Sequence, residues 1–374
     1  MAGPLSGLRI VMMAGLGPGP FCGMLLGDLG ADVIRIDRIE EVEQTEFVDR
    51  VVRRSQRSIA VDLKDPRGVE LVLTLVAGAD AFVDVFRPGA LERLGLGPDE
   101  LLARNPRLIY ARMTGYGQDG PMAPMAGHDI NYLAMSGALH AIGTAESPVP
   151  PLNLVGDYGG GAMLLAVGLL SGVLEARQSG NGQVVDVAMV DGAVTLMAPF
   201  YGLLAEGRWE DRRCANVLDG AAHYYRAYET SDGGHIAVGA MERPFYDQLT
   251  RRLAVDVPQG DSPEAWAAHA EVMAERFRQK TRSEWEDELV DPQTCATPVL
   301  SLSEAPLHPH HRARGTFVEI DGVVQPSPSP RFSRTRAVPG VPALPGAHTD
   351  AILAELGVDP AGLASVVAQR ESAG

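Results

Sequence analysis

The sequence predicts an α/β protein, with a large domain built on a parallel sheet and a smaller α+β domain later in the chain. Two observations lead there. Strand-like and helix-like runs alternate through the N-terminal half, which is the pattern of a parallel sheet covered by helices. The chain is also long enough, at 374 residues, to fill two cores, and its 45% hydrophobic and 21% charged content is that of an ordinary globular protein.

The elements follow in order. Arg9–Met13 reads as a buried strand, Phe21–Leu29 as a helix and Asp32–Ile36 as the next strand. Ile59–Leu63 is strand-like, Pro66–Val76 helical and Ala81–Val85 a strand, and Arg107–Met113 and Val184–Met189 continue the series. Residues 1–190 therefore make the large domain, and 191–224 a connection. A compact unit follows over 225–312, with strands paired around Gly233-Gly234 and acidic helices carrying Trp266 and Trp285. The stretch 325–346 is dense in proline and serine and is expected to run extended, before a terminal helix at Thr349–Leu356.

Composition narrows the function. Thirty-two basic against forty-eight acidic residues give a formal charge of −16, which argues against nucleic acid or an anionic membrane as partner. Three separated cysteines, Cys22, Cys214 and Cys295, form no CxxC pair, offer no metal spacing and suit a reducing compartment. The N-terminal residues carry no basic segment followed by an apolar signal core. The longest uncharged apolar stretch, Tyr158 to Leu174, falls short of the roughly 20 residues a membrane span needs. A cytoplasmic protein is expected. The turn Gly15-Leu16-Gly17-Pro18-Gly19-Pro20 fails the GxGxxG spacing, and its prolines remove N–H donors that a pyrophosphate would use. No nicotinamide or flavin cofactor is expected.

Chemistry concentrates at two Gly-marked breaks beside apolar runs. One is Gly127-His128-Asp129-Ile130-Asn131-Tyr132; the other is Asn153-Leu154-Val155-Gly156-Asp157-Tyr158-Gly159-Gly160-Gly161, read as a loop with an acidic residue at a helix start. A histidine and an aspartate set against each other can exchange a proton with one carbon from opposite sides, which suggests proton-transfer chemistry. Read in isolation, His128 would be a buried, satisfied histidine and Asp157 an N-cap.

These segments resemble the alpha-methylacyl-CoA racemase branch of the family III CoA-transferase (CaiB/BaiF) superfamily. The resemblance runs from Pro4-Leu5-Ser6-Gly7-Leu8-Arg9, through Gly27–Arg38, Arg107–Arg112, Val238-Gly239-Ala240-Met241-Glu242 and Ala296–Leu300, to Pro330–Arg334. It implies a Rossmann-like large domain completed by residues 315–374. It also implies an interlocked homodimer, with active sites where the large domain of one subunit meets the small domain of the other.

The resemblance further implies a cofactor-independent isomerase interconverting (2R)- and (2S)-2-methylacyl-CoA thioesters, with coenzyme A part of the substrate. His128 and Asp157 are then the acid/base pair and Glu242 the partner of the histidine. An acid role requires Asp157 to have a raised pKa, whereas a helix dipole favours the ionised form. The amides of that helix start, Asp157's own included, would meet the enolate oxygen. Arg38, Val61-Asp62-Leu63-Lys64, Val85-Phe86-Arg87 and Arg93 match coenzyme-A-contacting stretches, and Gly127, Asp129, Gly156 and Tyr158 border the substrate, with Asp129 read as a structural hydrogen-bonding residue. No metal is implied. Arg243 stands where the family has proline, Met12 where it has Glu, Asp84-Val85 where it has Glu-Gly or Glu-Pro, and His223 where it has proline in a loop expected to border the acyl group. The alternative is a family III CoA-transferase with Asp157 as nucleophile, although such transferases generally lack the histidine and glutamate partners. A third reading is a non-catalytic protein that binds coenzyme A. The acyl group stays open.

Overall fold

The computed structural model describes residues 3–43, 50–260, 262–291 and 293–370. In chain order the elements begin β1 (Arg9–Met13), α1 (Pro18–Asp28), β2 (Asp32–Asp37), β3 (Arg57–Val61), α2 (Pro66–Ala77) and β4 (Ala81–Asp84). Then come α3 (Pro98–Arg104), β5 (Ile109–Thr114), α4 (Asp129–Ser136), α5 (Ala138–Ala141), a π-helical segment (Leu154–Met163), α6 (Leu164–Ser179) and β6 (Gln183–Ala188). They continue with α7 (Met189–Leu196), α8 (Ala198–Ala205), β7 (Tyr225–Glu229), β8 (His235–Gly239), α9 (Arg243–Leu253), α10 (Pro263–Phe277) and α11 (Arg282–Leu289). The last are β9 (Ala296–Pro298), α12 (Pro309–Arg314), β10 (Phe317–Ile320), β11 (Val323–Pro326), α13 (Thr349–Leu356) and β12 (Val367–Ala368).

Two compact units result. The first comprises Met1–Ser136, Leu152–Leu196 and Gly315–Gly374; the second comprises Gly137–Pro151 and Met197–Arg314. Gly137–Pro151, which the sequence reading kept with the large domain, cluster with the second unit, and the expected connection divides between the two after α7.

In the first unit a seven-stranded sheet has the order β12-β3-β2-β1-β4-β5-β6. The six strands β1 to β6 are parallel neighbours, and only β12 is antiparallel, against β3. Without its edge strand the order is 3-2-1-4-5-6, so the chain reverses direction across the sheet between β1 and β4. Parallel strands need crossovers, and these bury both sheet faces, which is why β4 and β5 are buried at every position. One face is covered by Leu71, Val72, Leu75 and Val76 of α2 and by Ile352 and Leu353 of α13, so the C-terminal segment completes this core. The other is covered by α1 and by Leu165, Leu169, Val173 and Ala176 of α6, spaced as one helical stripe.

The returning chain is tied down by buried ions. Arg35 donates to Asp37 at 2.9 Å, to Gln56 at 3.1 Å and to the Ala343 carbonyl at 2.9 Å. Arg54 reaches Asp28 at 2.7 Å and Gln325 at 2.6 Å. Met12, the register partner of Arg35, is fully buried in the α1 face of the sheet.

One expectation needs correcting. The apolar stretch read as too short to span a membrane is part of a continuous 26-residue helical run, Leu154–Ser179, that is long and apolar enough by length and composition alone. Its buried stripe lies on β5 and β6, as expected for a sheet-covering helix, and this makes the length weak grounds for a membrane segment.

In the second unit, β7-β8-β9 form an antiparallel sheet backed by α9, α10 and α11. Tyr228 stacks on Phe277 at 4.9 Å, and Trp285 meets Phe277 edge-on at 5.3 Å. His223, in the loop expected to border the acyl group, is completely buried here, its Nε2 2.8 Å from the Tyr246 hydroxyl.

Candidate active site

All six parallel strands end on the same edge, and open α/β sheets bind ligands outside that edge where the strand order reverses. Here the reversal lies between the turn after β1, carrying Gly15 and Gly17, and the turn after β4, carrying Val85. The two turns touch. A Cβ on Gly15 or Gly19 would sit 2.7 or 2.8 Å from a Val85 methyl. Gly17 caps α1 with φ 63°, a left-handed value glycine adopts without strain, and a Cβ there would be 3.8 Å from Asp157 Oδ2. The turn dismissed as a dinucleotide loop therefore faces the carboxyl group expected to do chemistry. The signal was its position, the first strand-to-helix turn, rather than its spacing.

Asp157 is not the N-cap the sequence suggested. The helical run begins three residues earlier, with Asn153 as cap, and Tyr158 N–H donates to the Asn153 carbonyl at 3.3 Å, the i→i−5 bond of a π-helix. This wide turn brings Asp157 alongside the start of α4. There Asp129 Oδ1 accepts the Asp157 N–H at 2.7 Å across 28 residues of chain. Gly156 permits that approach, since a Cβ in its place would lie 2.6 Å from the same oxygen. Asp129 is buried, and its Oδ2 has no hydrogen-bond partner among the described residues. The expectation that Asp157's own amide is free for a substrate oxygen is thus overturned, because Asp129 holds it.

The charges of both Asp129 and His128 reach Asp157. Burial pushes the Asp157 carboxyl above its ordinary value; the Asn153 amide, donating at 3.3 Å, pulls it down, the Asp129 charge adds to the rise and His128 opposes it. The net direction is the one an acid role requires. His128 itself is exposed, just before α4, with its N–H on Asn131 Oδ1 at 3.0 Å. Two tyrosines that sequence spacing did not reveal hold this corner. Tyr132 donates to the Gly127 carbonyl at 2.6 Å and meets Tyr116 edge-on at 5.1 Å. Burial and then the charge of Asp157 push the Tyr132 hydroxyl up to about 12, with Arg87 acting against them. Tyr158 packs its ring on Phe21 of α1 at 4.7 Å.

The remaining predicted residues lie on the same strand-end edge. Arg38 is exposed immediately after β2, and Asp62, Leu63 and Lys64 form the turn after β3. Lys64 is 3.6 Å from Glu40, and Asp62 Oδ1 accepts the Lys64 N–H at 2.9 Å. The Val61 side chain belongs to the core, so only its main chain can meet a ligand. Arg87 is exposed, Phe86 packs on the core, and the Arg93 guanidinium curls over Gly89. Among the described residues no group of three or more His, Cys, Asp or Glu is arranged to hold a metal ion.

Glu242 belongs to the second unit, where it is the exposed N-cap of α9. Its charge, after burial, raises the Cys295 thiol, which lines a cavity of about 450 Å³ with Tyr225, Arg226 and Thr297. Arg243 turns to Asp247 at 2.7 Å, so its charge is compensated within α9.

Comparison with known proteins adds an independent line. The model of CoA-transferase family III matches residues 5–349. Alpha-methylacyl-CoA racemase of Mus musculus is 42% identical over 361 residues, 94% of this chain and 93% of its own. The Homo sapiens racemase is 39% identical over 360 residues, 94% of this chain and 93% of its own. Among solved structures, a CAIB/BAIF family protein from Brucella suis superposes with a TM-score of 0.83 at 27% identity, covering 95% of this chain and 100% of that one.

Proposed function

We propose, since this chain belongs to CoA-transferase family III, that it is an isomerase interconverting (2R)- and (2S)-2-methylacyl-CoA thioesters. The observation that carries this reading is an Asp157 carboxyl raised by burial, facing the turn where the strand order reverses and near enough to His128 to feel its charge. Such a rise is in the direction that lets a carboxyl group give a proton as well as accept one. His128 and Asp157 form the acid/base pair. One removes the α-proton, the electrons of that C–H bond pass into the thioester carbonyl to form an enolate, and the other returns a proton to the opposite face. With Asp157's amide held by Asp129, the enolate oxygen is better served by the first-turn amides of α4. Helix geometry leaves the Asp129 and Ile130 N–H groups outside the α4 hydrogen-bond ladder, at the positive end of its dipole. Each such donor is worth on the order of 10²–10³ in rate.

Coenzyme A is part of the substrate, and the chemistry calls for no cofactor or metal. Arg38, Lys64, Arg87 and Arg93, on neighbouring turns of one sheet edge, supply the local positive charge that a phosphate-bearing ligand needs on a protein of charge −16. Glu242 would orient the His128 imidazole within an interlocked homodimer. Large exposed apolar side chains, among them Val167 and Leu174 of α6 and Tyr201 and Leu204 of α8, support burial against a second copy. Three unpaired cysteines support a cytoplasmic location.

Incubating the enzyme with one enantiomer of a 2-methylacyl-CoA in deuterium oxide tests the reading, with no acceptor acid present. Deuterium should enter the α-position as optical purity falls, and His128→Ala and Asp157→Asn should each slow this by about 10²–10⁴. A wild-type enzyme that exchanges nothing until an acceptor acid is added is a transferase with Asp157 as nucleophile, and this reading then fails. Binding without exchange would mark a non-catalytic protein.

A further inference from the structure

The chemistry above leaves Asp84 unused, yet this carboxyl group lies beneath one of the turns that chemistry relies on. Asp84 ends β4 and is 1% exposed. Its Oδ1 accepts the Phe86 N–H at 2.8 Å, tying the side chain to the backbone two residues on. The turn so fixed carries Val85, which fills the space against Gly15 and Gly19, and Arg87, whose charge acts on Tyr132 beside Asp157.

The other oxygen has two rival neighbours. The Tyr110 hydroxyl donates to the Leu96 carbonyl at 2.9 Å, and a phenol has one hydrogen to give. The 3.3 Å contact between Tyr110 Oη and Asp84 Oδ2 is therefore best satisfied when Asp84 itself carries a proton and donates it. Against this, Arg112 Nε lies 3.9 Å from Oδ2 and favours the carboxylate, but the Arg112 guanidinium is drawn away to Glu92. Tyr110, Arg112 and Glu92 are the titratable and charged groups facing Asp84, and none of them fixes its proton outright. Burial pushes Asp84 up to about 6, with the Phe86 N–H and Arg112 opposing the rise and Glu92 assisting it.

We propose that Asp84 is a positioning residue for the coenzyme A end of the substrate, holding the Val85–Phe86–Arg87 turn as a carboxylate and loosening it when it takes up a proton and turns to Tyr110. This rests on the reading that the strand-end turns hold coenzyme A. A charge-assisted bond to the Phe86 N–H is roughly twice as strong as a neutral one. The grip is therefore firm above the titration range and slack below it. Asp84→Asn keeps an acceptor for Phe86 and offers Tyr110 a donor, so it imitates the protonated acid at every pH.

Calorimetric titration of the full-length protein with coenzyme A itself, between about pH 5 and about pH 8, tests this without reference to which reaction is catalysed. The ligand's own phosphate titrates in the same range, equally for every variant, so the ratio of variant to wild-type Kd is what is read. For Asp84→Asn that ratio should be about threefold to tenfold at the alkaline end and fall to about one at the acid end. A ratio of one throughout, or one that does not change with pH, overturns the proposal. If Asp84→Asn loses its fold by circular dichroism, Tyr110→Phe decides. That variant deprives the protonated acid of its acceptor, so the midpoint of the affinity change should move to lower pH, and an unmoved midpoint overturns the proposal. Wild-type protein that binds no coenzyme A at any pH defeats the underlying reading as well, and is told apart by that result.

Discussion

Asp129 does more at the residue scale than its place beside His128 suggests. Its Oδ1 anchors Asp157 through the main chain, and its charge raises the Asp157 carboxyl. Asp129→Asn keeps an oxygen for the Asp157 N–H and removes the charge. Asp157 should then ionise at lower pH, and in the direction where it acts as acid the alkaline fall of kcat/KM should move to lower pH. Asp129→Ala also strands a half-buried N–H, which costs about 1–3 kcal/mol, and should lose far more activity than Asn. If pH profiles measured in both directions leave Asn and Ala alike, the anchor has no role. Gly156→Ala tests the same contact from the other side. Its methyl group would meet Asp129 Oδ1 at 2.6 Å and push apart two elements that must stay in register. A displacement of this size is expected to cost on the order of 10²-fold in turnover, with circular dichroism unchanged. Sequence marked His128 and Asp157 because glycines break the chain beside them. It did not reveal that Asp129 joins the two segments, since a hydrogen bond between residues 28 apart leaves no local pattern. The same holds for Tyr116 and Tyr132, whose ring contact depends on how the turn between them folds.

At the scale of elements, the central strands read well from sequence because both of their faces are buried, so β1 and β4 are short unbroken apolar runs ending in charge or glycine, and β2 departs from this only at its buried Arg35. The π-helical segment did not, because no residue preference marks an i→i−5 turn, and a glycine-rich stretch looks like a loop until its neighbours pack. His223 gives an element-scale prediction. Burial, then His269 and Arg226, hold its imidazole down to about 4. The folded state therefore binds fewer protons than the unfolded one, whose histidine titrates near 6.5. Stability is full above about 6.5 and is lost as pH falls towards 4, by on the order of 3 kcal/mol. Asp84 has the opposite sign. Its folded value of about 6 lies above the unfolded 3.8, so its contribution is present at low pH and is lost as pH rises between the two. The two can be separated because all three tryptophans, Trp209, Trp266 and Trp285, lie in the second unit with His223. Tryptophan fluorescence during thermal unfolding should show the midpoint falling between pH 6.5 and 4.5 in wild type and holding steady in His223→Phe. A midpoint that drops equally in both proteins would remove His223 as the cause.

For the whole molecule, the proposed homodimer raises the question of whether Glu242 of one chain serves His128 of the other. The two residues belong to different compact units of one polypeptide, and an interlocked dimer would draw the first unit of one copy and the second unit of the other into each active site. Genetic mixing separates this from a site completed within one chain. Suppose His128→Ala and Glu242→Ala chains are co-expressed with different tags, so that dimers assemble at random. Half are then mixed. In a mixed dimer with shared sites, both substitutions fall in one site and the other site is intact, so about a quarter of wild-type activity per active site should return. Sites completed within one chain would each carry one substitution, and nothing would return. Purifying the doubly tagged fraction sharpens the reading, because there about half of the sites should be intact. Co-expression is needed because chains interlocked as proposed would not exchange once folded, and activity that appears on merely mixing the purified variants would mean the subunits are not interlocked. An unrestored doubly tagged dimer, with both variants folded by circular dichroism, would put Glu242 in the same chain as its histidine. A Glu242→Ala homodimer that keeps wild-type activity and pH dependence would put Glu242 out of the chemistry altogether, since a carboxylate that orients the imidazole cannot be lost without changing the pH at which the base titrates.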